Sequence, residues 1–281
     1  MKLNGMRFCR REESNMCVSA RPAEFAATSL YLGKKMHPQH GEVFVFGYQN
    51  TAHNLSHGPN AMLIHLPTHH FSQENLLDTH RARTIFQNMR ASVRDYDTLR
   101  SSRGPSAKSS YQIVHHSIYT IIIAQDATAI PEAMMHVEPR KRVSVSGSLI
   151  EFYARHYSKH LMTLWCFDNQ EAQTASATFL WYTSFHPDFF MLPAVDAHTG
   201  NAPDLQKQVL VDHWVFLGSD EKIPHWDTFT YDTAMRGDVL EYLPRYVTGK
   251  RFGGYMNNGD FVAPLQNILN SGTNALMRYT P

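Results

Sequence analysis

The stretch that decides the fold runs from Thr28 to Gln49 and reads TSLYLGKKMHPQHGEVFVFGYQ. Its two ends, Thr28 to Leu32 and Glu42 to Gln49, are rich in β-branched and aromatic residues, which suit a pleated, half-buried surface. Between them Met36-His37-Pro38-Gln39-His40-Gly41 supplies turn chemistry, so the segment is read as a β-hairpin.

Further strands are expected on both sides of that hairpin. Gly58-Pro59-Asn60 forms a turn before a short strand from Met62 to Leu66, which Pro67 ends. Tyr111 to Ala124, rich in Ile, Val and Tyr, reads as one long buried strand. Leu161 to Phe167, Thr178 to Phe185 and Val209 to Leu217 are three more apolar β-type runs. Helical signals lie between them. Ser72 to Met89 has Ser72 as a cap with Asn75 at the box position, and Leu76, Leu77, His80, Thr84, Ile85 and Met89 fall near one face. Asp126 to Met135 holds a short helix with Pro131 in its first turn. Ser146 to His156 places Leu149, Ile150, Tyr153 and Tyr157 at helical spacing. Asp238 to Val247 is a helix that Pro244 interrupts. Ser101 to Ser110 is a polar loop, and Gly253 to Pro281 has no readable period. Helices inserted among strands, without strict alternation, give an α+β class with a predominantly antiparallel sheet. Two packed sheets with flanking helices would bury the strands.

The 281 residues fit one globular domain over 17–281, preceded by a polar extension, or an upstream start, over 1–16. Hydrophobic residues at 43% are enough for a sizeable core. A balance of 26 Lys+Arg against 25 Asp+Glu gives no general attraction to nucleic acid or an anionic membrane, so neither is expected as a partner. No secretory h-region follows the early arginines, and the most apolar run, Ile118 to Ala124, is far shorter than the roughly 20 residues a bilayer takes. Three cysteines, Cys9, Cys17 and Cys166, make no disulfide framework. These features predict a soluble cytoplasmic chain. Oligomeric state is not legible.

The chemistry is read from three places. Met16-Cys17 would expose Cys17 as a terminal residue once methionine is removed. Its α-amine, with a pKa of roughly 7.7–8.0, could then take the proton of its own thiol, near 8.5. In this dipeptide and the strands after it the chain resembles the N-terminal-nucleophile hydrolases, whose cysteine members open with Met-Cys and a strand. That resemblance implies cleavage of an amide-type bond in a small-molecule substrate, with Cys17 as nucleophile and no cofactor. Asn50 and Asn60, on asparagine-bearing turns, would be the oxyanion donors. The plainer reading of Cys17 is a small buried hydrophobe, and of the asparagines, turn formers.

The alternative is a divalent metal held by Asp196, His198, Asp212 and His213, since Asp196 and His198 at i and i+2 share a face when extended. Against it, Asp196 and Thr199 would simply build the turn before Gly200. A third reading is a non-catalytic binding or structural protein, with aromatic strands as core and most of the 17 histidines at the surface. No GxxxxGK[ST], GxGxxG or GxSxG pattern is present, which lowers nucleotide-dependent transfer and serine hydrolysis. Asn257-Asn258-Gly259-Asp260 reads as an ordinary tight turn.

Overall fold

The computed structural model describes residues 18–55, 57–79, 81–93, 110–172, 175–232 and 237–281. In chain order the strands begin with β1 (Val18–Ser19), the hairpin β2 (Ala23–His37) and β3 (Gly41–Asn54), then β4 (Asn60–Leu66) and β5 (Leu76–Leu77). Helix α1 (Ile85–Ser92) follows, then β6 (Tyr111–His116), β7 (Tyr119–Ala124), α2 (Ile130–Met134), α3 (Gly147–His156), β8 (Leu161–Phe167) and α4 (Asn169–Ala172). The last part holds β9 (Thr178–Tyr182), β10 (Phe189–Leu192), β11 (Gln208–Ser219), β12 (Asp227–Thr228), α5 (Gly237–Leu240), β13 (Tyr246–Asn257), β14 (Asp260–Pro264), α6 (Leu265–Ser271) and β15 (Met277–Tyr279).

The strands form three sheets, in the orders β1-β4-β8-β7-β6, β10-β14-β15 and β12-β13-β11-β2-β3-β9-β5. The expected α+β class holds. Antiparallel pairing dominates; β11 runs parallel beside β2 from His213 opposite Thr28 to Ser219 opposite Lys34, and Val18 makes a parallel bridge to Ala197. The two larger sheets pack face to face: Leu30, Leu32, Phe44 and Phe46 of one meet Ile64, Ile121, Ile123 and Trp165 of the other. The small sheet closes this core with Phe190, Leu192 and Phe261. Helices α2 and α3 cover the outer face of the five-stranded sheet with Ile130, Leu149, Ile150 and Tyr153. Helix α1 covers the seven-stranded sheet with Ile85, Phe86 and Met89. The third sheet is the addition to the two expected from sequence.

Three element readings need correction. Tyr111 to Ala124 is a hairpin rather than one strand: His116 pairs with Tyr119 across Ser117 and Ile118. Ser117 takes a positive φ of 52°, a conformation that tight hairpins require and that glycine or asparagine usually supplies. Serine gives no such signal. The long helix from Ser72 is replaced by shorter pieces. Ser72 and Asn75 do make their reciprocal capping bonds, but on a single 3₁₀ turn at Gln73–Asn75. Leu76 and Leu77 then join the sheet beside Leu180 and Phe179, which pulls the backbone out of helix until Ile85. The helix at Asp238 to Val247 lasts only through Leu240, and Tyr246 and Val247 already belong to β13. Among the described residues no helix is long and apolar enough to cross a membrane.

One close approach sets the join between β2 and β11. Gly33 and Gly218 are register partners, and the ring of fully buried Tyr31 lies where a side chain on either would stand. A Gly218→Ala substitution is therefore expected to cost about 1–3 kcal/mol through overpacking. In a Tyr31→Ala background the same substitution should cost far less, which denaturant unfolding of the two single variants and the double variant will read.

Candidate functional site

The small sheet has two unlike faces because strand side chains alternate. Phe190, Leu192, Phe261 and Ala263 point into the core and are buried. The opposite face carries Phe189 and Met191 from β10, Val262 and Pro264 from β14, and Met277 and Tyr279 from β15. Register lines up Met191, Val262 and Met277 across the sheet, with Phe189 opposite Pro264. Phe189 is 48% exposed, Met277 61% and Tyr279 48%. At the margin of this face lies a cleft of about 320 Å³, walled by Phe189, Met191, Val262, Tyr279 and, on the other side, His156, Tyr157, His160 and His186.

Behind the cleft runs a buried polar chain. Asp260, at the start of β14, is fully buried, and its carboxylate accepts from the backbone N–H of Ala194 (2.7 Å) and Val195 (3.2 Å) and from the Tyr157 hydroxyl (2.7 Å). The Nε2 of His65 in β4 stands 3.3 Å from both carboxylate oxygens. The Nδ1 of His65 in turn faces the Nδ1 of His160 at 3.0 Å. Burial pushes the Asp260 carboxyl up, but His65, Tyr157 and the Ala194 amide outweigh it and hold the group below the usual carboxylate range. Burial, then Asp260, raises the Tyr157 phenol far above its ordinary value. Burial, then the neighbouring His65, drives the His160 imidazole down to about 3.

None of these residues stood out in sequence as a site. The available signal was a histidine inside the apolar run Met62 to Leu66, and an aspartate directly before Phe261-Val262-Ala263 in the turn read as ordinary. That turn is anything but inert. Asn258 is buried and its amide donates to the carbonyls of Asp196 and Asp204, while its Oδ1 accepts from the Asp196 N–H. Gly259 passes so close to the Tyr279 backbone that no Cβ would fit.

The residues chosen from sequence are spread through the molecule. Cys17 lies outside the described residues. Its successors Val18 and Ser19 are buried, paired with Leu63 and Met62. Asn60 is fully buried and its side chain is committed to the backbone: Oδ1 accepts from the N–H of Arg21 and Ala61, and Nδ2 donates to the Arg21 carbonyl. Asn50 donates to the Tyr48 hydroxyl at 2.6 Å. Both amide groups thus hold local structure. Asp196 and His198 do meet, Oδ1 against Nε2. Burial raises the Asp196 carboxyl, opposed by His198.

Asp212 and His213, consecutive on β11, face opposite ways. Asp212 takes a two-pronged contact from Arg251 at 2.6 and 2.8 Å, and His213 is fully buried. Burial, then the positive charge of Arg278, drives the His213 imidazole down to about 3. Among the described residues no group of three His, Cys, Asp or Glu is placed to hold a metal ion. Cys166 is buried in β8, and burial pushes its thiol up to about 12, as expected of a core residue.

No protein-family model matches the chain, and no curated protein matches it in sequence. Among solved structures it is similar to baculovirus P35, at 10% identity and a TM-score of 0.40, covering 93% of this chain and 98% of that one. A mutated baculovirus P35 after caspase cleavage gives 9% identity and a TM-score of 0.44, with 88% and 97% covered. The complex of caspase-8 with P35 gives 9% and 0.40, with 90% and 94% covered. Likeness at this level says nothing about what the chain binds.

The two depressed histidines carry a consequence for stability. In the folded state His160 and His213 protonate near 3, against 6.5 ordinarily. Between those values the unfolded chain binds more protons, so stability is full above about 6.5 and falls as pH drops toward 3. At about pH 4.5 each histidine is expected to remove roughly 3 kcal/mol, with Asp260 adding its loss at lower pH still. Urea unfolding at neutral and acid pH measures this, and a His213→Leu variant should show a shallower pH dependence than the parent.

Proposed function

We propose that the chain is a non-catalytic protein-binding module, and that the outer face of β10, β14 and β15 docks an extended apolar segment of a partner protein. The observation that carries this is concentration. Seven large hydrophobic residues are strongly exposed among the described residues, and three of them, Phe189, Met277 and Tyr279, lie on this sheet of 12 residues. Scattered exposed hydrophobics are ordinary, whereas a contiguous patch is a common mark of a binding surface.

The composition favours a protein as occupant. Aromatic residues and methionine are enriched at protein interfaces, and methionine adapts its shape to what it meets. The outward face, formed by Phe189, Met191, Val262, Pro264, Met277 and Tyr279, carries no Lys or Arg, so the electrostatic attraction that holds proteins on anionic lipid is missing from it. Against a hydrolytic role, the side chains of Asn50 and Asn60 are engaged with neighbouring groups of the chain itself.

Selection of peptides from a random library against the full chain tests the reading. Peptides rich in apolar residues are expected to emerge. Their affinity should fall at least about tenfold in a Met191→Lys/Met277→Lys variant of unchanged thermal midpoint, and stay put in Met135→Lys, whose side chain is exposed elsewhere. Equal binding to parent and double variant, or no selected peptide, overturns it. The same peptides bear on Cys17: Cys17→Ala should bind them as the parent does, and mass spectrometry should find them uncut by either.

A further inference from the structure

The five-stranded sheet ends on one side at β6, which pairs with β7 and with no other strand of the described residues. With six residues it is the longest terminal strand of the three sheets; β1, β5 and β12 have two each, β15 three and β10 four. Its sequence YQIVHH holds no Lys, Arg, Asp, Glu, Pro or Gly, and its register with β7 runs through without a bulge. Folded chains blunt a bare sheet edge with those devices, because unpaired N–H and C=O groups template the addition of another strand. The hairpin also fixes which groups are unpaired. His116 and Tyr119 flank a two-residue turn, so they exchange both backbone bonds, and bonded pairs alternate from there along the ladder. At the far end the Gln125 N–H donates to the Ser110 carbonyl at 2.9 Å, in the same phase. Gln112, Val114 and His116 therefore bond to β7, and the N–H and C=O of Tyr111, Ile113 and His115 face outward.

We propose that this edge is a self-association site, where β6 of a second copy of this chain adds antiparallel about a two-fold axis at Ile113. In that register Ile113 meets its own counterpart and Tyr111 meets the copy's His115, so each open N–H of one strand finds an open carbonyl of the other. A one-residue slip sets bonding residues opposite non-bonding ones, and a two-residue slip leaves open groups unmatched. What favours a second copy is the side-chain match under this register. Tyr111, Ile113 and His115 share one face by alternation. The axis sets a β-branched residue against its equal and a phenol ring against an imidazole, both favourable cross-strand pairs, and brings no Lys, Arg, Asp or Glu of the strand beside a like charge. A contact of this kind is isologous and closed, so it consumes the bare edge rather than extending a filament. It uses none of the residues of the outer face of β10, β14 and β15, and is independent of the reading of that face.

Sedimentation equilibrium of the full chain over a concentration series should approach twice the chain mass. Ile113→Lys sets two like charges face to face across the axis and should weaken the dimer at least about tenfold. Ile113→Pro removes an outward N–H while leaving the bonds to β7 in place, and should give a folded monomer. Register is read by cysteine. Hydrogen-bonded antiparallel partners hold their Cα atoms about 5.5 Å apart, within disulfide reach. Mild oxidation should therefore link Ile113→Cys to its counterpart and leave Gln112→Cys, which would face Val114 of the copy, at the level of the parent. Four results overturn the proposal: a monomer at every concentration, a folded Ile113→Lys that dimerises like the parent, no excess cross-linking of Ile113→Cys over Gln112→Cys, or a dimer that Met191→Lys/Met277→Lys dissociates. The last would place the contact on the small sheet instead. The parent and the cysteine variants carry the mass and register readings, so a poorly folded lysine or proline variant does not blunt the test.

Discussion

A single buried carboxylate ties the small sheet to everything around it. Asp260 opens β14, yet its oxygens reach the backbone of Ala194 and Val195, the Tyr157 hydroxyl just beyond α3, and His65 in β4 of the five-stranded sheet. A charge held entirely out of water is costly unless hydrogen bonds compensate it. Here that need is turned into position, because each donor must come to the carboxylate. The small sheet, the covering helix and the inner sheet are registered against one another by that requirement, in a way that non-directional apolar packing would not impose by itself.

The same constraint makes the two faces of the small sheet differ in kind. Inward, Phe190, Leu192 and Phe261 complete the core begun by the larger sheets, and Arg278 lies over the Phe261 ring at 4.7 Å while reaching the Ala194 carbonyl. Outward, the alternate residues are apolar apart from buried Asp260, and Phe189, Met277 and Tyr279 among them stand exposed. The larger sheets are treated differently, since helices cover both of their outer faces. An apolar face left open beside a cleft whose polar wall is set from behind is the feature that connects architecture to binding.

How far the sequence reached can be judged residue by residue. The hairpin β2–β3 was legible because strand-forming runs flank a turn whose chemistry is explicit. The helix α3 was legible because its apolar spacing is regular; the structure adds the cap, in which the Leu149 N–H donates to the Ser146 hydroxyl at 3.3 Å. The turn at Ser117 was not, because a serine in a left-handed conformation is held there by pairing of the flanking strands and leaves no trace in composition. Leu76 and Leu77 fit a helix face and a sheet edge equally well by pattern, and only the neighbouring β9 decides between them. The candidate site was the least legible part. Asn50, Asn60, Asp196 and Asp212 drew notice for their chemistry, but the first two turned out to bond the local chain and Asp212 to pair with Arg251 at the surface.

What the sequence by itself determined is the material: enough apolar residues for a large core, alternating strands, and an α+β arrangement of them, all consequences of local periodicity and burial. What only the tertiary structure decided is which polar residues meet. His65, Tyr157, His160 and Asp260 are separated by up to 195 positions along the chain, and no local pattern links them. Their union depends on long-range strand register, which sums many weak contacts across three sheets before any one of these side chains finds its partner.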